Sequence, residues 1–234
     1  CIANPVCMRW DARERLWVLC TWAYPQLKPG TKPNDKLLIL EDTKGDGRAD
    51  KISTYIDGLN MPTGFALGHG GAYIGNGRDL IHVRDTNGDG KADKRGVIFT
   101  GFGTGDTHQN INSFAWSPGG ELFFSQGLHC FSRVQTPWGI RKLDEHGSWR
   151  LRPLRRQLHA HRRTSGGGNP WGFAFGNWGE PFIKSNGTPV GELLPGMVAS
   201  EHIIGGYWGG ALAIGGTKIK SMIIEIVDTP ALPK

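Results

Sequence analysis

The sequence predicts an all-β fold of the β-propeller type, and three features lead to this prediction. The first is composition, because the 234 residues include 36 Gly, 9 Trp and 10 Phe. Glycine supplies the backbone conformations of tight turns and aromatic residues favour pleated sheets, so this composition is typical of short strands joined by turns. The other two features are motifs that recur along the chain. Repeats of about 20–50 residues are the signature of solenoids and propellers.

The first recurring motif is a hairpin that occurs four times. Each copy has an alternating apolar strand, a turn of polar residues or glycine, and a second apolar strand. The copies read MRWDARERLWVL, GFALGHGGAYIG, SFAWSPGGELFFSQG and GFAFGNWGEPFIKSNG, and they align on Trp10, Leu67, Trp116 and Phe175. Intervals of 57, 49 and 59 residues fit one four-stranded blade each. We expect the four aligned residues to be buried at equivalent core positions.

The predicted organisation is a single propeller domain over residues 1–234, with blade repeats starting near residues 7, 62, 111 and 169. GGALAIGG and MIIEIVD are candidates for the start of a fifth blade. Four to five blades are therefore visible, and a ring of the six-bladed type would be incomplete in this chain. A β-sandwich is the main structural alternative, but sandwiches do not usually repeat one hairpin at a fixed register.

The second recurring motif is a nine-residue acidic loop, DTKGDGRAD from Asp42 and DTNGDGKAD from Asp85, 43 residues apart. Each copy lies between two apolar runs, so it is expected at a hairpin tip. Oxygen-bearing side chains at positions 1, 3, 5 and 9, a glycine at position 6 and a backbone carbonyl at position 7 can surround one Ca²⁺. The alternative is an Asp/Gly turn that holds no ion. An EF-hand is excluded, because its position 12 requires Glu and Gly96 stands there.

The two loops are expected to differ in affinity. The predicted ligands of the second loop are Asp85, Asn87, Asp89 and Asp93 with the carbonyl of Lys91. Those of the first loop are Asp42, Asp46 and Asp50 with the carbonyl of Arg48. Position 3 of the first loop is Lys44, whose ammonium cannot bind a cation and can take the cation's place. We therefore expect the first loop to bind Ca²⁺ more weakly or not at all.

Charge and hydropathy exclude some function classes. The formal charge is +6, and much of the excess lies in the run RLRPLRRQLHAHRR at residues 150–163. No nucleic-acid-binding motif accompanies this run, so a solvated loop or a docking surface for an acidic partner is favoured over a nucleic-acid patch. No apolar run of 18 residues predicts a transmembrane helix. The four Cys show no CxxCH spacing, so no covalent haem is expected.

Several motifs in a fixed order give the sequence a family resemblance. CMRWDARERLWV, GLNMPTGFALGHGG, GFGTGDTHQNINSFAWSPGGELFFSQGLH and NPWGFAF, together with the two acidic loops, resemble the PVC-type propeller proteins classed as membrane-bound dehydrogenases. The resemblance covers residues 4 to about 185. That family is similar to the soluble glucose and sorbosone dehydrogenases, which bind pyrroloquinoline quinone in a six-bladed propeller. Many members carry a C-terminal c-type haem domain with CxxCH, which is missing here.

The resemblance implies a set of functional residues. In the quinoprotein relatives, a His shortly before a blade hairpin is the general base that takes the substrate hydroxyl proton, and GDTHQNINSF brings His108 near that position. Asp106 and Asn112 are the accompanying catalytic candidates. For contacts to the quinone, no family motif can be matched, and Gln126, His129 and Arg133 are chosen on chemistry alone. Ca²⁺ and pyrroloquinoline quinone are the implied cofactors.

Two functions of different classes follow from these observations. The first is an extracytoplasmic, calcium-stabilised scaffold or accessory subunit of a larger complex, with a protein partner such as a cytochrome, because propellers support many unrelated functions. The second is a quinone-dependent dehydrogenase that oxidises a sugar or an alcohol in the propeller funnel. The expected location is the periplasm or the cell surface. No nucleic-acid partner is expected.

Overall fold

The computed structural model describes residues 2–162, 169–177, 179, 181–185, 192–193, 203–204, 213–214 and 217–218. Within these ranges the chain consists of antiparallel strands and two three-residue 3₁₀ turns, without an α-helix. Accordingly, none of the described residues belongs to a helix that could cross a membrane. The predicted all-β class is confirmed.

Two complete four-stranded sheets open the chain, each a simple antiparallel meander. We call them blades 1 and 2. Blade 1 contains β1 (Pro5–Trp10), β2 (Leu16–Cys20), β3 (Asp35–Glu41) and β4 (Lys51–Leu59). Blade 2 contains β5 (Pro62–Gly68), β6 (Gly71–Asn76), β7 (Asp79–Arg84) and β8 (Lys94–Thr100). The middle strands of both blades are buried along most of their length, as a sheet packed on both faces requires.

Blade 3 has the same four-stranded plan with a hairpin inserted after its second strand. Its strands are β9 (Asn112–Trp116), β10 (Leu122–Gln126), β13 (Gly147–Arg152) and β14 (Gln157–Arg162). The inserted hairpin is β11 (Phe131–Thr136) and β12 (Gly139–Asp144). It lies across the outer rim, where β11 contacts β8 of blade 2 and β12 contacts β14 of blade 3. Val134 and Leu143 of the hairpin are buried in the core between these two blades.

The remaining strands are shorter. Blade 4 is represented by β15 (Pro170–Phe175), β16 (Pro181–Ser185) and β17 (Glu192–Leu193), paired in that order. A further antiparallel set is β18 (Ile203–Ile204), β19 (Ala213–Ile214) and β20 (Thr217–Lys218). The first strands of successive blades contact one another, β1 with β5, β5 with β9 and β9 with β15. Sheets arranged with their first strands side by side around an axis form a β-propeller, as predicted.

The core lies between blades. One cluster, which includes Trp17, Ile39, Phe65 and Ile74, fills the space between blades 1 and 2. A second, which includes Tyr73, Phe114, Phe124 and Trp149, joins blade 3 to blade 2. Phe123 and Ile183, with Phe173 and Phe175, form a third between blades 3 and 4. Because each sheet is buried on both faces, its middle strands are almost continuously apolar.

The four aligned hairpin residues occupy equivalent registers, but three of them are half-buried and one is exposed. Trp10, Leu67, Trp116 and Phe175 pair with Leu16, Ala72, Leu122 and Pro181, next to the hairpin turn in each blade. Leu67, Trp116 and Phe175 are half-buried, whereas Trp10 is 68% exposed. The prediction of burial is wrong for Trp10. On β1 the Cys7 side faces blade 2, and Val6, Met8 and Trp10 lie on the face that blade 2 does not cover.

The antiparallel plan gives the propeller two distinct ends. The turns within the first hairpin of each blade and those between its third and fourth strands share one end, which we call the lower end. It carries both acidic loops, at residues 42–50 and 85–93. Connections between blades, and those between second and third strands, share the opposite end, which we call the upper end. Residues 101–111 and 127–130 lie there, joined by the bond from Gly127 N–H to the carbonyl of Gln109.

Candidate functional site

The strongest polar arrangement at the upper end lies in the connection between β8 and β9. A 3₁₀ turn, Thr107–Gln109, begins after Asp106 and holds His108 beside it. The distance from His108 Nδ1 to Asp106 Oδ1 is 2.6 Å, and the two side chains are 36% and 25% exposed. A carboxylate accepts a hydrogen bond from Nδ1–H and so fixes the tautomer of the ring. His108 Nε2 is thereby left with a lone pair that can accept a proton.

An aromatic side chain from the next blade completes one wall of this site. The indole of Trp171, on β15, stacks on the His108 imidazole with ring centroids 5.7 Å apart and an interplanar angle of 13°. The Trp171 side chain is 49% exposed. Because β15 is the first strand of blade 4 and contacts β9, the stack lies near the propeller axis. The site therefore combines a base with an accessible aromatic surface.

Two buried amides follow His108 directly. Gln109 and Asn110 are fully buried, and among the described residues neither the oxygen nor the nitrogen of either amide has a hydrogen-bond partner. Buried polar groups are nearly always hydrogen-bonded, and each unsatisfied one costs about 1–3 kcal/mol. Four unsatisfied atoms on adjacent residues are typical of a site that receives a polar ligand or ordered water.

The other predicted residues of the upper end are engaged within the protein. Gln126 is buried, donates to the carbonyls of Cys130, Leu143 and Glu145, and accepts from Ser132 Oγ and Trp149 Nε1. Its amide has no capacity left for a ligand. Buried Asn112 donates to the carbonyl of Asn110 and accepts from the Ser113 hydroxyl. The predicted catalytic role of Asn112 is thus limited to supporting the adjacent loop.

His129 and Arg133 lie further out. The backbone N–H of His129 donates to the carboxylate of Glu145. His129 has a positive φ of 59°, and its side chain is exposed. Arg133 is on the outer surface of the inserted hairpin, where its guanidinium pairs with Asp144 across the β11–β12 ladder. The structure does not bring Arg133 into the group formed by His108, Asp106 and Trp171. A cofactor carboxylate would have to displace the Asp144 partner.

Cys130 lies at the upper end, next to the backbone of Gln109. Its thiol donates to the carbonyl of Gln109 at 3.2 Å, and the side chain is fully buried. Burial raises the pKa of the Cys130 thiol to about 11. The thiol therefore stays protonated near neutral pH and supports the Gln109 backbone. Cys7 and Cys20 are also free thiols.

At the lower end, the two acidic loops have nearly identical internal hydrogen bonds. In the second loop, Asp85 accepts from the N–H groups of Gly88 and Gly90 at 2.6 and 2.8 Å, and Asp93 accepts from Thr86. In the first loop, Asp42 accepts from Gly45 and Gly47, each at 2.7 Å. These bonds fold both loops around their first carboxylate. Side-chain donation from Thr86 holds the pKa of the Asp93 carboxyl below its ordinary value.

The loops differ at the third position, as the sequence indicated. Lys44 Nζ lies 3.6 Å from Asp50 Oδ2 in the first loop, while Asn87 of the second loop offers an oxygen, which accepts from Asp89 N–H. Backbone donation, led by Gly47 N–H for Asp42 and by Thr43 N–H for Asp50, lowers the pKa of both carboxyls. No preformed group of three metal-ligating side chains was found among the described residues. Calcium binding therefore stays a prediction that rests on the spacing.

The second loop also borders a groove between blades 1 and 2. This groove has a volume of about 780 Å³, and its lining includes Asp85, Asp89, Glu41, Arg15 and Tyr55. Two of its cationic side chains are paired, since Arg15 and Lys51 contact Glu41 at 3.8 and 2.6 Å. The phenol of Tyr55 accepts from Asp85 N–H at 3.1 Å and ties the acidic loop to the groove wall. We therefore interpret this groove as part of the contact between blades 1 and 2.

Comparison with known proteins gives one family match. The model of a domain of unknown function (DUF7133) matches residues 1–205. A search of curated proteins finds no match.

Solved structures with a similar arrangement are distant in sequence. A family AA12 carbohydrate-active enzyme of Trichoderma reesei is 17% identical, with a TM-score of 0.40 over 55% of this chain and only 31% of its own. Virginiamycin B lyase from Staphylococcus aureus is 12% identical, with a TM-score of 0.44 over 82% of this chain and 69% of its own. A luciferin-regenerating enzyme is 10% identical, with a TM-score of 0.48 over 90% and 68%. Similarity at this level carries no information about activity.

Proposed function

The chain belongs to the DUF7133 family, and we propose that it is a propeller enzyme that oxidises a hydroxyl group of a sugar or an alcohol at its upper end. His108 is the general base of this reaction. The observation that carries the proposal is the 2.6 Å contact between His108 Nδ1 and Asp106 Oδ1. A histidine oriented by a carboxylate, partly exposed and beside unsatisfied buried amides, is an arrangement suited to proton abstraction.

The proton transfer follows from the tautomer. Asp106 keeps the Nδ1 proton in place, so Nε2 accepts the proton of a substrate hydroxyl. The imidazolium that results carries a positive charge, which the neighbouring Asp106 carboxylate stabilises. Loss of the hydroxyl proton strengthens the tendency of the adjacent carbon to release a hydride, and the product is a carbonyl compound.

The surroundings of His108 favour a hydroxyl-rich substrate. The exposed face of Trp171 can pack against the C–H groups of a sugar ring. His108 itself requires a hydroxyl group on the substrate, because the proton of that group is the one that Nε2 accepts.

The oxidation requires an acceptor of two electrons, and the family resemblance points to pyrroloquinoline quinone. When bound, a quinone accepts the hydride that leaves the substrate carbon. Gln109 and Asn110 fit its carbonyl and carboxylate oxygens, because their buried amides lack partners. Gln126 and Arg133 do not fit this role in their present contacts, since the amide of one is saturated and the guanidinium of the other pairs with Asp144. We therefore assign cofactor contact to Gln109 and Asn110.

The test is reconstitution of the full-length protein with pyrroloquinoline quinone and Ca²⁺, followed by dye reduction with aldoses and simple alcohols. Wild type should turn over, and His108→Ala should lose about 10²–10⁴-fold in rate while binding the quinone normally. His159→Ala, on β14, is the matched control and should keep the wild-type rate. Equal rates for wild type and His108→Ala, or no quinone binding by wild type, would refute the proposal.

A second candidate function is an extracytoplasmic, calcium-stabilised scaffold or accessory subunit of a redox complex. The exposure of large apolar side chains on the inserted hairpin, Phe131, Trp138 and Ile140, favours it. A protein that binds Ca²⁺ and co-purifies with a cytochrome, yet shows no turnover with any substrate of the panel, would support the scaffold over the enzyme.

A further inference from the structure

A second groove opens at the lower end, between blades 2 and 3, far from His108. Its volume is about 510 Å³. It is bordered by the β5–β6 turn with His69, the β9–β10 turn with Glu121, and the β13–β14 connection with Arg152, Leu154 and Arg155. No residue of the proposed oxidation site contributes to it. The groove therefore needs an explanation of its own.

The side chains around this groove carry an excess of positive charge. Arg152 Nε and Arg150 Nε lie 2.5 and 3.8 Å from the same carboxylate oxygen of Glu121, so one negative charge serves two arginines. Within the described part of the chain, the Arg155 guanidinium has no hydrogen bond or ion pair. The pKa of nearby His159 is lowered, first by burial and then by repulsion from Arg150, Arg141 and Arg152. An anionic ligand would relieve this repulsion.

The rim of the groove is apolar. Leu154 is 85% exposed and Trp138, at the tip of the inserted hairpin, is 60% exposed. Trp138 Nε1 donates to the carbonyl of Arg155 at 3.4 Å, so the hairpin tip lies directly beside the β13–β14 connection. An exposed Trp beside arginines has the composition of protein-binding hot spots, in which aromatic and Arg side chains dominate the affinity, and Leu154 adds exposed apolar surface next to them.

Hydrogen bonds order the backbone that carries these groups. The connection is a 3₁₀ turn, Pro153–Arg155, which ends at Arg156 in a left-handed conformation with φ of 47°. The N–H of Arg156 donates to the carbonyl of Pro153, and its side chain donates to the carbonyl of Ile98 on β8. A surface that is ordered before binding loses little conformational entropy on binding, so it suits recognition.

We propose that this basic groove binds an acidic segment of a partner protein that also carries an apolar side chain. The acidic groups pair with Arg155 and Arg152, and the apolar side chain packs on Leu154 and Trp138. A flat anionic membrane fits less well, because Arg152 lines a groove between two blades and not a flat surface. An acidic polysaccharide would gain nothing from Leu154. The site lies at the opposite end from His108, so a docked partner leaves the oxidation site open.

The experiment measures fluorescence anisotropy with the full-length protein and labelled 12-residue peptides. One probe contains Glu and Asp with two Leu, and the other has the same charge with Ser in place of Leu. Arg155→Glu tests the charge contribution and Leu154→Ser the apolar one. Lys32→Glu, in the exposed β2–β3 loop, is the matched control for charge, and Ile52→Ser, on β4, is the matched control for exposed apolar surface.

We expect the Leu-containing peptide to bind more tightly than the Ser peptide. Arg155→Glu and Leu154→Ser should each weaken its binding by about tenfold, while both controls bind as wild type. Equal losses in Arg155→Glu and Lys32→Glu would mean that binding follows net charge, and would overturn the proposal. It would also be overturned if Leu154→Ser had no effect, or if heparin or phosphatidylglycerol vesicles displaced the peptide at lower concentration than an unlabelled copy does.

Discussion

At the residue scale, the proposed chemistry depends on how one histidine is oriented. Asp106 precedes the 3₁₀ turn and His108 lies within it, so a local turn brings the carboxylate to 2.6 Å from Nδ1. Such a contact needs no long-range packing, which is why the segment GDTHQN could indicate it. The stack of Trp171 on the ring is different, because it joins residues of two blades.

The first prediction concerns Cys130. Because burial raises the pKa of its thiol to about 11, little thiolate forms at pH 8. In the folded protein, iodoacetamide should modify half-buried Cys7 and leave Cys130 unmodified, and both should react after unfolding in guanidinium chloride. Peptide mapping by mass spectrometry gives the extent of reaction at each site. Rapid alkylation of Cys130 without unfolding would show that the upper end is open to solvent behind Gln109.

Only part of this site could be predicted from the sequence. The order of motifs pointed to His108 and Asp106, but the chemistry of Gln126 and Arg133 depended on contacts that sequence patterns do not encode. Gln126 is saturated by carbonyls of Cys130, Leu143 and Glu145, which the inserted hairpin and its flanks bring together. Asn110 was not predicted as a site residue for the same reason, because the sequence does not show whether a buried amide has a hydrogen-bond partner.

At the element scale, glycines set the distance between blades 2 and 3. A Cβ on Gly75 of β6 would lie 2.6 Å from the carbonyl oxygen of Ile111, and one on Gly68 of β5 would lie 2.6 Å from the Trp116 ring. Contacts of this length do not occur between real Cβ atoms and their neighbours. The two strands therefore require glycine where blade 3 approaches.

The second prediction follows from this packing. Gly75→Ala should lower the free energy of unfolding by about 1–3 kcal/mol, because the Ile111 backbone must move to accept the methyl group. Gly96→Ala, on β8, is the matched control, since a Cβ there meets nothing within 4 Å. It should be neutral to within about 0.5 kcal/mol. Guanidinium chloride unfolding measures both values. An equal effect of the two substitutions would contradict the proposed close approach.

The third prediction concerns the acidic loops. Calorimetry should detect one Ca²⁺ bound by the loop at residues 85–93, and Asp89→Asn should weaken it. Lys44→Asp should create or tighten binding at residues 42–50, because it removes the ammonium that lies 3.6 Å from Asp50. Thr43→Ala, which removes a hydroxyl bonded to Asp50, is a control that should not gain affinity. Failure of Lys44→Asp to bind more tightly would argue against Lys44 as a substitute for the cation.

The sequence predicted the repeated hairpins well, but it did not predict the inserted hairpin or the exposure of Trp10. Alternation and turn residues gave the hairpins in the correct register, since a one-residue slip would move the apolar set to the other face. The inserted hairpin of β11 and β12 was not predicted, although its pattern FSRVQT alternates. An alternating strand does not reveal whether its partner belongs to a blade or to a local hairpin. The burial of Trp10 was predicted wrongly because exposure depends on which neighbour covers each face of β1.

At the scale of the whole molecule, the structure separates its candidate functions between two ends. The upper end carries His108, Asp106 and Trp171, and the lower end carries the acidic loops and the basic groove. The strands of each blade run from one end to the other, so the residues of the two ends are separated by the length of a blade. This separation is consistent with a protein that holds a partner at one end while it acts on a substrate at the other.

The fourth prediction concerns the pH dependence of global stability. Burial lowers the pKa of His161 on β14 and of His82 on β7. The pKa of each is lower in the folded protein than its value of about 6.5 in the unfolded chain, so the unfolded state binds more protons as pH falls through that value. Their contribution to stability is present above pH 6.5 and is lost below it. Tm should therefore fall from pH 7.5 to pH 5.5, and the fall should be smaller in His161→Gln. An unchanged pH dependence in that variant would contradict this account.

The most direct test of the central claim is chemical rescue of a protein that lacks its base. The rate of dye reduction in His108→Ala should be about 10²–10⁴-fold below wild type, and added imidazole should restore part of it in proportion to its concentration, because free imidazole can take the hydroxyl proton in the space left by the side chain. Imidazole should not change the rate of wild type or of His159→Ala. A His108→Ala protein that keeps the wild-type rate would contradict the assignment of His108 as the general base, and so would one whose lost activity imidazole cannot restore although the quinone remains bound.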